Sequence, residues 1–143
     1  MKPTLLALAV LVFALPASTV AAAADVNEAD RGAIRAVIED QLAAFGRDDA
    51  DAAFAHASPG IQTKFRTPEI FMHMVRTAYQ PVYRPREVEF RDIVEIDGVP
   101  VQHVFLVGPG GELVTALYPM ERQPDGAWKI AGCYLVRAPG EGV

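Results

Sequence analysis

Apolar and polar residues alternate in four long runs in the second half of the chain, near 87–96, 99–107, 112–122 and 127–137. A period of two predicts β-strands. Asp97-Gly98, Gly108-Pro109-Gly110-Gly111 and Pro124-Asp125-Gly126 separate them as turn sequences, which predicts a four-stranded antiparallel meander. Upstream the period is helical. Ile34, Val37, Ile38, Leu42 and Phe45 form one stripe between Arg31 and Arg47, with Asn27 and Asp30 as cap candidates. A short second helix is expected over Ala50 to Ala57, and Ser58-Pro59-Gly60 stops it. Ile61 to Phe65 is read as a short strand. Thr67-Pro68-Glu69 opens a third helix with the stripe Phe71, Met74, Val75 and Ala78, and prolines 81 and 85 then impose an extended connector. The expected fold is α+β, three N-terminal helices packed on a long, curved sheet.

The turns also predict which residues share a face. A two-residue turn at Asp97-Gly98 sets Ile96 opposite Val99, Val94 opposite Val101, Phe90 opposite Phe105 and Val88 opposite Val107. It sets Asp92 opposite His103 in the middle of that apolar face. A Gly-rich turn of two or four residues adds Val114, Ala116, Tyr118 and Met120 to it. A type I turn with a glycine bulge at Gln123-Pro-Asp-Gly126 adds Trp128, Ile130, Gly132, Tyr134 and Val136. The helices are expected to cover this side. Leu113, Thr115, Leu117, Ala131, Cys133 and Leu135 then make an apolar patch on the other side, rimmed by Glu121, Lys129 and Arg137. A monomer rarely exposes such a patch, so a homodimer packed through it is expected.

Residues 1–24 read as a signal peptide: a basic start at Lys2, an apolar run from Leu5 to Leu15, and small residues for cleavage between Val20 and Asp25. The run is too short to span a membrane. A single domain over 25–143, periplasmic or secreted and without a stable membrane anchor, is the expectation. Loss of Lys2 leaves 12 basic residues against 18 acidic, a net charge of −6, which argues against nucleic acid as a partner. Cys133 is the sole cysteine and has no internal disulfide partner.

The best chemical clue is the expected Asp92–His103 pair. A buried carboxylate needs a partner, and it can hold a histidine in one tautomer as a general base. Tyr118 on the next strand would donate to a developing oxyanion. The bland reading, favoured here, is a structural ion pair or a bulge that turns Asp92 outward. Tyr79, Tyr83, Arg84 and Arg86 sit where the last helix meets the sheet, placed to rim a pocket and clamp a carboxylate or phosphate. Against that, the arginines pair with Glu87 and Glu89. Tyr134 on the last strand is a further ligand-binding candidate. His56 and His73 fall off their helical stripes. No spacing matches a metal site, and no motif calls for a cofactor.

Several segments resemble a known family. They are Ala-Ile-Arg-Ala-Val-Ile-Glu at 33–39, Ala-Phe-Ala-His-Ala-Ser-Pro-Gly-Ile at 53–61, Pro-Val-Tyr-Arg-Pro-Arg-Glu-Val-Glu-Phe at 81–90, Glu-Arg-Gln-Pro-Asp-Gly at 121–126 and Gly-Cys-Tyr-Leu-Val-Arg-Ala-Pro-Gly at 132–140. Over nearly the whole mature chain the sequence is similar to the bacterial family called domain of unknown function 4864. The plan resembles the nuclear-transport-factor-two-like (SnoaL-like, cystatin-like) superfamily, which implies a cone-shaped α+β fold but no activity. The leading expectation is an exported binder of a small molecule or peptide, with an apolar pocket that takes a small apolar or acidic ligand. Its rivals are an isomerase or lyase using Asp92, His103 and Tyr118, and a homodimeric interaction module. An open pocket beside His103 favours binder or enzyme; a cone filled by Phe90, Phe105, Trp128 and Tyr134 favours the module.

Overall fold

The computed structural model describes residues 26–137. The expected leader and its cleavage site lie outside the described residues. Helix α1 (Glu28–Gly46) starts at a capping box built from the two residues expected to cap it. Asn27 Oδ1 accepts from the Asp30 N–H at 2.8 Å, and Asp30 Oδ2 accepts from the Asn27 N–H at 3.2 Å. Ile34, Ile38 and Phe45 of the expected stripe are buried. Helix α2 (Ala50–Ala55) is capped by Asp49, and α4 (Pro68–Ala78) by Thr67 with Pro68 in its first turn. Two expectations fail in between. Residues 61–65 are not a strand: α3 (Pro59–Phe65) starts at Ser58, whose Oγ accepts from the Ile61 N–H at 3.4 Å. The connector is not fully extended either, because Gln80–Tyr83 winds into one turn, α5, with Pro81 where no N–H is needed.

Five strands follow: β1 (Glu87–Ile96), β2 (Val99–Val107), β3 (Leu113–Arg122), β4 (Trp128–Ile130) and β5 (Tyr134–Arg137). They form one antiparallel sheet in the order β1-β2-β3, with β4 and β5 sharing the free edge of β3. The expected fourth strand is thus two pieces, broken at 131–133 beside Pro119, which has no N–H for the ladder. The β1–β2 turn is the expected one: Asp97 (φ 50°) and Gly98 (φ 78°) both take the left-handed conformation of a type I′ turn. Gly126 (φ 88°) closes the β3–β4 turn, with its N–H donating to Gln123 O at 2.9 Å.

Three local devices shift the faces. Near the turn the pairing is as expected, with Ile96 opposite Val99 and Val94 opposite Val101. A bulge at Arg91 and Asp92 then moves β1 by one residue, so Phe90 faces Val104 and Val88 faces Leu106. The Gln102 side chain anchors that bulge, its Nε2 donating to Arg91 O at 2.7 Å. Second, the β2–β3 loop has five residues, not two or four, closed by Gly108 N–H to Glu112 O at 2.8 Å. An odd loop exchanges parity. Gln102, Val104 and Leu106 therefore share the helix-covered face with Val114, Ala116 and Tyr118, while His103 sits opposite Leu117 on the outer face. Third, the break after Ile130 moves β5 by one residue. Cys133 and Leu135 pack against the core, whereas Tyr134 and Val136 face outward beside Leu117 and Thr115.

The core lies between the helices and the inner sheet face. Ile34, Ile38, Phe45, Met72, Val104, Leu106 and Tyr118 are essentially inaccessible, and each such apolar side chain stabilises the fold by about 1.5–3 kcal/mol. Phe71 is surrounded by the rings of Phe45, Phe54 and Phe65, with centroids 6.1, 5.4 and 5.7 Å away. Polar ties join helices to sheet, among them a hydrogen bond from Lys129 Nζ on β4 to Ala55 O on α2 at 2.6 Å. Asp30 accepts from Arg122 and from Trp128 Nε1, and the Arg122 guanidinium lies over the Trp128 ring at 4.8 Å. Ala57 bridges Ile130, with Ser58 N–H donating to Ile130 O at 2.8 Å and Ile130 N–H to His56 O at 2.9 Å.

Candidate functional site

The helices do not seal the sheet. A cavity of about 700 Å³ opens between α3, α4, the end of α1 and strands β3 to β5. Its helical wall is Phe45, Ile61, Phe65, Phe71, Met74 and Val75; its sheet wall is Tyr118, Ile130, Ala131, Gly132 and Cys133. Local sequence explains the opening. The 131–133 break removes strand from beneath α4, and glycine at 132 keeps the gap clear. A Cβ there would stand 3.2 Å from Pro119 Cγ and 3.4 Å from Tyr134 Cε2. Exposed Gly60, Lys64, Ala78, Glu121 and Tyr134 mark the mouth.

Polar groups gather on the sheet side of the cavity. Tyr118 is completely buried, and its hydroxyl has no hydrogen-bond partner. Burial, then the neighbouring Cys133 thiol, pushes its pKa well above the ordinary 10. Cys133 is pushed up to about 12, by burial above all, so it is a neutral thiol and no nucleophile at neutral pH. Tyr79 is also raised, first by burial and then by Cys133 and Tyr134 nearby. Two phenols, Tyr79 and Tyr118, and a thiol thus gather on this side of the cavity as uncharged groups. The other polar side chains of the wall are committed elsewhere: Gln41 Nε2 donates to Ala53 O at 3.1 Å, and Ser58 Oγ caps α3. Lys64 and Glu121 carry opposite charges at the mouth.

Of the residues singled out from sequence, the cavity brings together Tyr79, Tyr118 and Tyr134. Asp92 and His103 lie elsewhere. Arg91 and Asp92 at the bulge together oppose His103 on the outer face, away from the cavity. No ion pair joins Asp92 to His103, and His103 Nε2 is buried without a partner. The cavity is open, but beside Tyr118 and not beside His103. Phe105 is likewise outside, under the Arg91 guanidinium at 4.7 Å.

Tyr83 and Arg84 also serve another purpose. Arg84 donates to Phe45 O at 2.6 Å and to Asp48 Oδ2 at 3.0 Å, lies over the Tyr83 ring at 3.9 Å, and so closes the C-terminal end of α1. The Tyr83 hydroxyl donates to Asp48 Oδ1. That bond, with Arg84 and Arg76 nearby, holds the Asp48 carboxyl below its ordinary pKa. The partner of Arg84 is therefore Asp48, not Glu87 or Glu89. Arg86 is exposed and its N–H donates to Val107 O at 2.7 Å, in the continuation of the β1–β2 ladder. Lys64, Ile61, Phe65, Met74 and Cys133 are the cavity residues that sequence reasoning missed. The usable signal was Ser58-Pro59, the same cap-and-proline pair that marked α4 at Thr67-Pro68. Among the described residues no cluster of His, Cys, Asp or Glu is placed to hold a metal ion, and no helix is long and apolar enough to cross a membrane.

The profile of the family described as Domain of unknown function (DUF4864) matches residues 27–143, which spans every described element except the first residue, Val26. No curated protein matches the chain. The chain belongs to this family.

Proposed function

We propose that this member of the DUF4864 family is an exported binding protein for a small, largely apolar molecule. It would work in the periplasm or outside the cell, on a cone-shaped scaffold of the nuclear-transport-factor-two-like (SnoaL-like) kind. The observation that carries the reading is the cavity, about 700 Å³ in volume, apolar-walled, with a few convergent polar groups. That size suits a small molecule better than a peptide. The leader-like residues 1–24 support export. The isomerase or lyase reading gains no support, because Asp92 and His103 stand on the far side of the sheet from the cavity. Titration with an uncharged environment-sensitive fluorophore tests binding. The wild type should bind it saturably, and Ala78→Trp, which adds an indole at the exposed mouth, should weaken binding at least 10-fold. No saturable binding, or equal binding to both, would sink the proposal.

A second reading rests on the outer sheet face, where a homodimer is proposed. Leu113 and Leu117 lie there as expected, joined by Phe105, Tyr134 and Val136, with Tyr134 63% and Val136 49% exposed. Ala131, Cys133 and Leu135 are not part of it: Ala131 lines the cavity, and Cys133 and Leu135 turn inward against the core. Light scattering should give twice the monomer mass for the wild type and the monomer mass for Leu117→Asp; a monomeric wild type removes this reading.

A further inference from the structure

A ligand in the cavity meets few polar side chains that it can reach. Tyr118 is inaccessible, and Gln41 and Ser58 are engaged with Ala53 O and the α3 cap. The charged side chains of the lining stand at the mouth, Lys64 on α3 and Glu121 on β3. The two are not equivalent. Glu121 Oε1 already accepts from Gln123 Nε2 at 3.3 Å. Seven arginines hold carboxylates and Lys129 donates to Ala55 O, but among the described residues Lys64 has no ion pair and no hydrogen bond. Its Nζ lies 5.4 Å from the centroid of the adjacent Phe65 ring. That ring packs edge-on against Phe71, with centroids 5.7 Å apart, where the apolar wall of α3 and α4 begins. The free cation is therefore fixed to the apolar wall itself, whereas Glu121 belongs to the sheet wall.

We infer that the cavity takes an amphipathic acid, an acyl or aryl body ending in a carboxylate that Lys64 receives at the mouth. The inference rests on the binding reading above and names the ligand's chemistry. The body lies along Phe65, Phe71 and Met74 and supplies most of the affinity by leaving water. The head stays at the hydrated rim, so its charge is not carried in among apolar rings, neutral phenols and a neutral thiol, where it would have no counter-ion. The Lys64 ammonium offers three donors on a flexible stem and follows the head without any backbone movement. An amine head fits less well: the wall that holds its body would set it beside Lys64, and Glu121 is already engaged with Gln123.

Two fluorescent probes that differ only in the charge of the head test it on the full chain: cis-parinaric acid and its methyl ester. Wild type should bind both, and Ala78→Trp should weaken both alike, which places them in the cavity. Lys64 is exposed and unpaired, so its replacement leaves the fold undisturbed, with an unchanged Tm as the control. Lys64→Gln should weaken the acid about 3- to 5-fold, the value of one exposed ion pair, and leave the ester unchanged. Lys64→Glu should weaken the acid further, by about 10-fold. Salt at about 0.5 M should bring the acid's affinity for the wild type down to that for Lys64→Gln. An acid affinity that Lys64→Gln leaves unmoved, or an ester affinity that falls equally with it, overturns the acid inference and leaves the binding reading intact. Failure of both probes on the wild type, or binding that Ala78→Trp leaves unchanged for both, overturns both.

Discussion

Replacing Tyr118 by phenylalanine should make the unliganded protein more stable. The ring is inaccessible on every side and the change removes a single oxygen, so packing against Val104, Ala116 and Met120 is kept. What is lost is a hydroxyl with no partner, whose burial costs about 1–3 kcal/mol. Part of that is recovered by weak contact with the Cys133 thiol, so a net gain of about 1 kcal/mol is expected. For a domain of this size, 1 kcal/mol corresponds to about 4 °C in Tm. Calorimetry and urea unfolding of wild type and Tyr118→Phe measure it, with equal m-values as the control that the denatured state is unchanged. A double-mutant cycle with Cys133→Ala completes the test and should show a coupling below about 0.5 kcal/mol. A loss of stability in Tyr118→Phe, or a coupling above about 1 kcal/mol, would mean that the hydroxyl is bonded within the protein.

Asp30→Ala should lower stability by about 2–3 kcal/mol, or roughly 10 °C. It removes the N3 half of the α1 capping box and leaves Arg122 and Trp128 without their acceptor at a site where Asp30 itself is buried; urea unfolding reads the loss. Gln102→Leu should cost about 1–2 kcal/mol, because the Arg91 carbonyl at the bulge loses its donor and the replacement has a similar shape; no loss would show that water serves there as well. Asp48 has a lowered folded-state pKa, so its contribution is present above the unfolded value near 3.8 and is lost as pH falls through the folded value. Asp48→Asn should therefore lower Tm at neutral pH, converge on the wild type in acid, and so flatten the limb of the Tm–pH profile below about pH 4. His56 has the complementary sign. Burial lowers its pKa against the opposing pull of Asp40, so the unfolded chain takes up the proton first and stability falls as pH drops below about 6.5, a slope that His56→Gln should remove.

The elements legible from sequence are those that local chemistry decides alone. Asn27 with Asp30, Thr67 with Pro68, and Asp97 with Gly98 each name a cap or a turn within four residues, and each is found where it was expected. The α3 failure came from weighting Pro59-Gly60 as a stop, when Ser58 ahead of a proline is the same start signal that was trusted at Thr67. Sheet faces are a different matter. Val104, Phe105, Leu106 and Val107 are apolar at every position, so the period-two signal vanishes where it was needed, and parity passes to loop length. Five residues in the Gly108–Glu112 loop, rather than four, move His103 and Phe105 outward. A side chain eleven positions from the β1 bulge, Gln102 reaching Arg91 O, is what stabilises the other shift.

The cavity depends on the product of these shifts, which is why only its aromatic members could be named in advance. Three of the four tyrosines named from sequence reach it, and the two on the sheet do so by different routes. Tyr118 was placed inward by a parity that holds for β3, and Tyr134 reaches the mouth although its strand turned over, because the 131–133 break sets it at the edge where the cavity opens. The same break turns Cys133 inward, beside Tyr118, and so decides that the buried hydroxyl meets only a sulfur, a weak acceptor. Had β5 continued β4 in register, Tyr134 and Val136 would have filled the inner face and Cys133 would have lain outside. A filled interior of that kind supports an interaction module. The open one supports a binder, and the difference between them is a single residue of strand register next to Pro119.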